Sequence, residues 1–236
     1  MRKLLFLVIT LLAPFGARAA SFQVNPIRVT LSAAQTTGVL RVTNSSDSPT
    51  VVQMQIVAWS QENGQDVYTP SRNLLATPPI FTVAAGSQQV VRIGLRTAPD
   101  AKQETCYRLF LTEVPPAPRT SFHGVQIALR IGIPVFVEPA MTTAPDLQWS
   151  ARRVSAEELQ LSVHNNGTAH TELLKLSVTA KGRSAPLLQE FGGYLLPGSQ
   201  RTWNVKLAAP LAANTPLQIT ADTDGGSFHA QLSPGA

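Results

Sequence analysis

The feature that most constrains this chain is a run of thirteen residues, Val125 to Val137. In it Val125, Ile127, Leu129, Ile131, Ile133, Val135 and Val137 share one parity, while Gln126, Ala128, Arg130, Gly132 and Pro134 share the other. A period of two is the pattern of a β-strand with one apolar face. At about 3.3 Å per residue the run would span roughly 40 Å, about twice an ordinary strand. Part of it is therefore expected to extend beyond its own sheet, and an apolar overhang needs a partner.

From Ser21 onward the remaining sequence follows the same grammar in shorter pieces. Ile27, Val29 and Leu31 alternate with Arg28 and Thr30, followed by Val39 to Thr43, Val51 to Trp59, Val90 to Leu95 and Tyr107 to Val114. Turn residues punctuate these runs at Asn44-Ser45-Ser46-Asp47, Glu62-Asn63-Gly64 and Ala85-Gly86. No window sustains helical periodicity over three turns, so the chain is expected to be all-β, its first half a sandwich of about seven strands. Pro139 and Pro145 then interrupt the pattern, as a short linker of limited flexibility would. Beyond them Leu147 to Ser150, Leu159 to Asn165, Glu172 to Ala180, Gln200 to Leu207 and Leu217 to Asp222 predict a second, smaller sandwich or barrel. Turns are expected at Asn165-Asn166-Gly167, Pro197-Gly198 and Asp224-Gly225-Gly226. The expected divisions are 1–20, 21–139 and 140–236.

Residues 1–20 have the order of a cleaved secretory signal peptide: Arg2 and Lys3, an apolar stretch from Leu4 to Leu12, and Ala17-Arg18-Ala19 before Ala20. No stop-transfer run follows, so no stable membrane insertion is expected. Removing Arg2, Lys3 and Arg18 from the 19 basic residues leaves 16 against 14 acidic ones. The remaining charges are scattered rather than gathered in the stripe that repeated phosphate contacts need, which argues against nucleic acid as a partner. With Cys106 alone no internal disulfide can form, and a buried packing role in a strand is expected for it.

Catalytic signatures are sparse. There is no G-x-S-x-G elbow, no phosphate-binding glycine loop and no set of zinc ligands, and nothing pairs one serine with one of His123, His164, His170 and His229. His164 and His170 flank a turn and are expected to be solvent-exposed. Asp222-Thr223-Asp224-Gly225 begins like a calcium loop but lacks the later bidentate Glu, so a hairpin turn is expected there. Asn44-Ser45-Ser46 and Asn166-Gly167-Thr168 match the glycosylation sequon but also ordinary turn chemistry. The chain is expected not to be an enzyme, and to use no cofactor and no metal.

Four stretches in order resemble the PapD-like family of pilus-assembly chaperones. They are Asn25-Pro26-Ile27-Arg28-Val29; Pro78-Pro79-Ile80-Phe81 through Gln89-Val90-Val91-Arg92-Ile93; Tyr107-Arg108-Leu109-Phe110-Leu111-Thr112-Glu113-Val114-Pro115; and Gln126-Ile127-Ala128-Leu129-Arg130 through Pro139. Gly192-Gly193-Tyr194-Leu195-Leu196-Pro197-Gly198-Ser199 resembles a second-half stretch of chaperones from archaic or spore-coat-like pilus systems. The resemblance implies two immunoglobulin-like β-sandwich domains in an L- or boomerang-shaped arrangement. It also implies a periplasmic protein that lends a β-strand to pilus subunits and passes them to an outer-membrane usher.

On that reading Val125, Ile127, Leu129 and Ile131 would form the donor strand. The classical members of the family grip the subunit's terminal carboxylate between the domains with an Arg of the first strand and a Lys of the last strand of the first domain. Arg28 matches the first, but Pro134 stands where the Lys is expected, and Arg28, Arg92 and Arg108 are the candidates to hold the carboxylate in its absence. An exposed apolar strand also invites self-association of the free protein. The competing expectation is a periplasmic immunoglobulin-like binding module for carbohydrate or protein. That reading would need an aromatic platform, whereas Trp59, Trp149 and Trp203 each lie inside a strand-like run suited to core packing.

Overall fold

The structure, a computed structural model, describes residues 22–116, 127–212 and 215–235. Among the described residues, ten strands precede the two interrupting prolines. Phe22–Asn25 (β1), Thr37–Asn44 (β3), Gln88–Leu95 (β8) and Leu74–Thr77 (β6) form one sheet in the order β1-β3-β8-β6. The facing sheet runs β2-β10-β9-β4-β5, from Val29–Leu31 (β2), Arg130–Val137 (β10), Thr105–Val114 (β9), Thr50–Glu62 (β4) and Gln65–Pro70 (β5). Ile80–Val83 (β7) also pairs with β4. Alternation along each strand aims one set of side chains inward, and Leu31, Leu40, Val42, Val52, Val91, Ile93, Leu109, Leu111 and Val135 fill the space between the sheets with no exposed surface.

Local sequence explains the connections. Asn63 and Gly64 both adopt positive φ, 51° and 76°, and join β4 to β5 in a two-residue hairpin, for which Asn-Gly is suited. Asn44, at the end of β3, is wholly buried. Its amide nitrogen donates to the carbonyls of Ser48 (2.7 Å) and Val83 (3.0 Å), and its oxygen accepts from the Ser46 N–H (2.9 Å). Turn chemistry therefore consumes this sequon, and no face of the Asn44 amide is left for a glycan.

The second half builds another sandwich and not a barrel. Leu147–Ser155 (β11), Glu158–Asn165 (β12) and Gln200–Lys206 (β16) face a sheet of Leu188–Phe191 (β14), Thr171–Ala180 (β13), Leu217–Thr223 (β17) and Gly226–Leu232 (β18), with Tyr194–Leu195 (β15) paired to β13. A separate core fills it, including Leu161, Val163, Leu176, Ile219 and Trp203. Trp149 lies parallel to Trp203 at 6.2 Å, so these two indoles pack together instead of forming an exposed platform.

Three expectations need correction. The described residues of the first half form ten strands rather than about seven. Ile27 does not continue an inward alternation: Pro26, which cannot donate to a ladder, separates β1 from β2, and Ile27 is 79% exposed. The long strand is assigned over Arg130–Val137 only. Ala128 and Leu129 precede it without ladder pairing, although the Leu129 carbonyl accepts the Glu113 N–H at 2.8 Å. Val125 and Gln126 lie outside the described residues.

Candidate functional site: an open strand edge beside a charged junction

β10 lies between β9 and β2, but unequally. It pairs with β9 along its whole length, Arg130↔Thr112 to Val137↔Thr105, and with β2 only at Val135, Phe136 and Val137. In an antiparallel ladder a residue directs its N–H and C=O to the same side, and successive residues alternate sides. Leu129 faces β9 through its carbonyl, and the Glu138 N–H faces β2 through Leu31 (2.8 Å). Hence Ile131, Ile133 and Val135 bond towards β9, while Arg130, Gly132 and Pro134 present their backbone to the outer edge. Among the described residues no strand pairs there ahead of Val135, and Arg130 and Gly132 each keep an unused donor and acceptor. Pro134 brings no donor to that edge, the side on which a strand tolerates proline.

The side chains grade along the same strand. Val135 and Val137 are buried in the first core, Leu129 and Ile131 are half-buried at its open end, and Ile127 is 77% exposed. The opposite face holds Arg130, whose guanidinium lies 3.9 Å from the centre of the Phe110 ring, and Gly132, where a Cβ would come within 3.1 Å of that ring. The close approach favours glycine at position 132.

Where β10 reaches β2, the two sandwiches meet. Phe136 has no exposed surface and packs with Trp59, Cys106, Leu196 and Tyr194. Its ring lies flat on the His170 imidazole, 3.4 Å between centres and 7° between planes. Gln61 of β4 clasps β15, its amide nitrogen donating to the Tyr194 carbonyl (3.0 Å) and its oxygen accepting the Leu196 N–H (3.1 Å). Glu104, 5% exposed, accepts from both the His170 N–H (3.2 Å) and Nδ1 (2.7 Å). Burial pushes the Cys106 thiol well above its usual range, and the adjacent Glu104 carboxylate adds to this, in keeping with a packing role.

Arg28 spans the same junction. Its Nη1 donates to Asp224 Oδ2 at 2.7 Å and lies 3.4 Å from His170 Nε2, and its Nη2 is 3.8 Å from Glu172. The hydrogen bond to Asp224 raises the Arg28 pKa further, so the guanidinium is always charged. Burial works against ionisation of Asp224, but the Glu172 N–H and Arg28 outweigh it and hold the carboxyl below its ordinary range. Tyr194 is pushed up to about 12, by burial first and then by Glu172.

Arg108 sits directly across the ladder from Pro134. Its guanidinium lies 3.8 Å from the centre of the Trp59 ring, 5.7 Å from that of Tyr194 and 3.9 Å from Asp66. Arg28 and Arg108 thus approach Tyr194 together. Arg92 does not join them: it is exposed on β8 between Val39 and Thr77, and among the described residues no ion pair links it to the junction.

His170 corrects the expectation of a solvated turn histidine, since its side chain is only 13% exposed. His170, Asp224, Glu172 and Glu104 escaped sequence reasoning because their partners lie 52 to 196 positions away. One signal was available. Phe136 breaks the parity of the long run, and a strand apolar on both faces announces burial on both.

The comparisons with known proteins agree with this geometry. Residues 21–143 match the family described as pili and flagellar-assembly chaperone, PapD N-terminal domain. The chain is 30% identical over 185 residues to the chaperone protein FimB/FhaD of Bordetella pertussis, covering 72% of each protein. It is 25% identical over 152 residues to the chaperone protein CssC of Escherichia coli, covering 59% of this chain and 61% of that one. Among solved structures, the fold is similar to a chain of the CsuC–CsuE chaperone–tip adhesion subunit pre-assembly complex of archaic Csu pili of Acinetobacter baumannii. The TM-score is 0.67 at 22% identity, over 92% of this chain and 100% of that one. It is also similar to a chain of the Salmonella enterica complex of SafA pilin with SafB chaperone, with a TM-score of 0.64 at 21% identity, over 91% and 98%. The fold is two immunoglobulin-like sandwiches, and this chain belongs to the PapD-like family of pilus-assembly chaperones.

Proposed function

We propose that the protein binds and caps periplasmic pilus subunits by completing their fold with β10 and the residues before it, and delivers them to an outer-membrane usher. The observation that carries this reading is the unpaired outer edge from Arg130 to Ile133, preceded by half-buried Leu129 and exposed Ile127. A strand adding to that edge would gain main-chain hydrogen bonds, while Val125, Ile127, Leu129 and Ile131 supply the alternating apolar contacts. Between deliveries the same edge is available to a second copy of the chain. Residues 1–20 serve export and are removed, and 21–139 and 140–236 are the two domains. The archaic or spore-coat-like branch fits Pro134 and the Gly192–Ser199 stretch.

Arg28 and Arg108 are the anchor for the subunit's terminal carboxylate, with Arg108 supplying from β9 the charge that Pro134 cannot supply from β10. Arg28→Ala is expected to weaken capture of a co-expressed pilus subunit about tenfold, the low end for a charge-assisted hydrogen bond on a partly exposed group. Titrating labelled subunit with wild type and variant measures the ratio, and equal affinities would remove Arg28 from the anchor.

A further inference from the structure

Resting on the carboxylate-anchor reading, we infer that His170 is a positioning residue for Arg28, holding one guanidinium nitrogen so that the rest of the fork is free to meet the subunit carboxylate. An Arg nitrogen can only donate, so the 3.4 Å contact to Arg28 Nη1 makes Nε2 the acceptor and places the imidazole proton on Nδ1. Glu104 fixes that tautomer from the other side, accepting from Nδ1 at 2.7 Å and from the His170 N–H at 3.2 Å. The Phe136 ring, 3.4 Å away and nearly parallel, fixes the plane of the imidazole.

Asp224 Oδ2 takes the same Nη1 at 2.7 Å, while its Oδ1 is tied to the Glu172 N–H at 2.9 Å and the Thr171 hydroxyl at 3.3 Å. Both constraints on Nη1 thus come from the second sandwich. Nε has no partner among the described residues, and Nη2 has only the 3.8 Å ion pair to Glu172. A guanidinium clamped at one nitrogen loses little further freedom on meeting a carboxylate through the other two.

The test uses the mature chain and one peptide of alternating valine and serine, ending either in a free carboxylate or in a C-terminal amide, with affinities from calorimetry. Wild type is expected to prefer the free acid about tenfold. His170→Phe keeps a ring against Phe136 but removes both nitrogens. It is expected to lower that preference to about twofold or less while leaving amide affinity unchanged, a selectivity that a merely structural defect would not produce. His170→Gln, which keeps an acceptor, is expected to restore part of it.

Because His170→Phe leaves the buried Glu104 carboxylate only the main-chain N–H of position 170 and the Cys106 thiol as donors, the pair Glu104→Gln with His170→Phe provides the same comparison in a chain without that buried charge. Absence of any preference in wild type would overturn the anchor reading and this inference with it. A wild-type preference that survives intact in both His170→Phe chains would overturn the inference alone.

Discussion

Ile127→Asp together with Leu129→Asp is expected to abolish subunit capture while leaving the chaperone folded. Each apolar side chain buried in a partner contributes about 1.5–3 kcal/mol, so losing two lowers affinity by more than about a hundredfold, before the cost of burying two carboxylates is counted. The folded chaperone has less at stake. Ile127 is largely in water, and Leu129 lies at the open end of a core whose centre is Leu31, Leu109, Leu111 and Val135. Co-purification from periplasm with a co-expressed subunit, alongside a thermal melt of the variant alone, separates the two effects. An equimolar complex with the folded double variant would refute the donor role of these residues.

Phe136→Ala is expected to produce the opposite profile: a large loss of stability concentrated where the two sandwiches meet. The ring is wholly buried, flat against His170 and within 6.1 Å of the Trp59 ring and 5.7 Å of the Tyr194 ring. Removing a buried phenylalanine costs about 3–5 kcal/mol through lost transfer energy and the cavity left behind. Denaturant unfolding of the wild type and the variant measures this. A change below about 1 kcal/mol would mean that the junction closes over the gap and that Phe136 is not its keystone. Phe136 lies on the face of β10 opposite Ile131 and Ile133, five and three residues further along the same strand.

The sequence carried much of the fold because most of its information is local. The alternation from Val39 to Thr43 and from Tyr107 to Val114 predicted strands that the structure extends by only a few residues. Asn63-Gly64 marked its hairpin through a conformational preference that needs no tertiary context. The limits of the long strand were less legible. Alternation persists through Ile127 and Leu129, but strand assignment requires a neighbour, and pairing begins at Arg130.

The junction was the least legible part. Arg28 and Arg108 could be named from strands that resemble a family, but their acidic and aromatic neighbours come from turns and strands of the other sandwich. Asp224 looked like an ordinary hairpin residue and His170 like a solvated one, because nothing within several residues of either signals Glu104, Phe136 or Arg28. Pro134 makes the same point. In sequence it was a missing lysine, whereas in the ladder it is the position directly opposite Arg108.

Amide hydrogen exchange of the chaperone alone and in complex with a pilus subunit tests the donor-strand account most directly, read at Arg130 and Gly132. Their N–H groups face the unpaired edge, whereas those of Ile131 and Ile133 are already tied to β9. The account predicts that Arg130 and Gly132 exchange fast in the free protein and become strongly protected in the complex, with little change at Ile131 and Ile133. A stable complex in which Arg130 and Gly132 still exchange as they do in the free protein would contradict it.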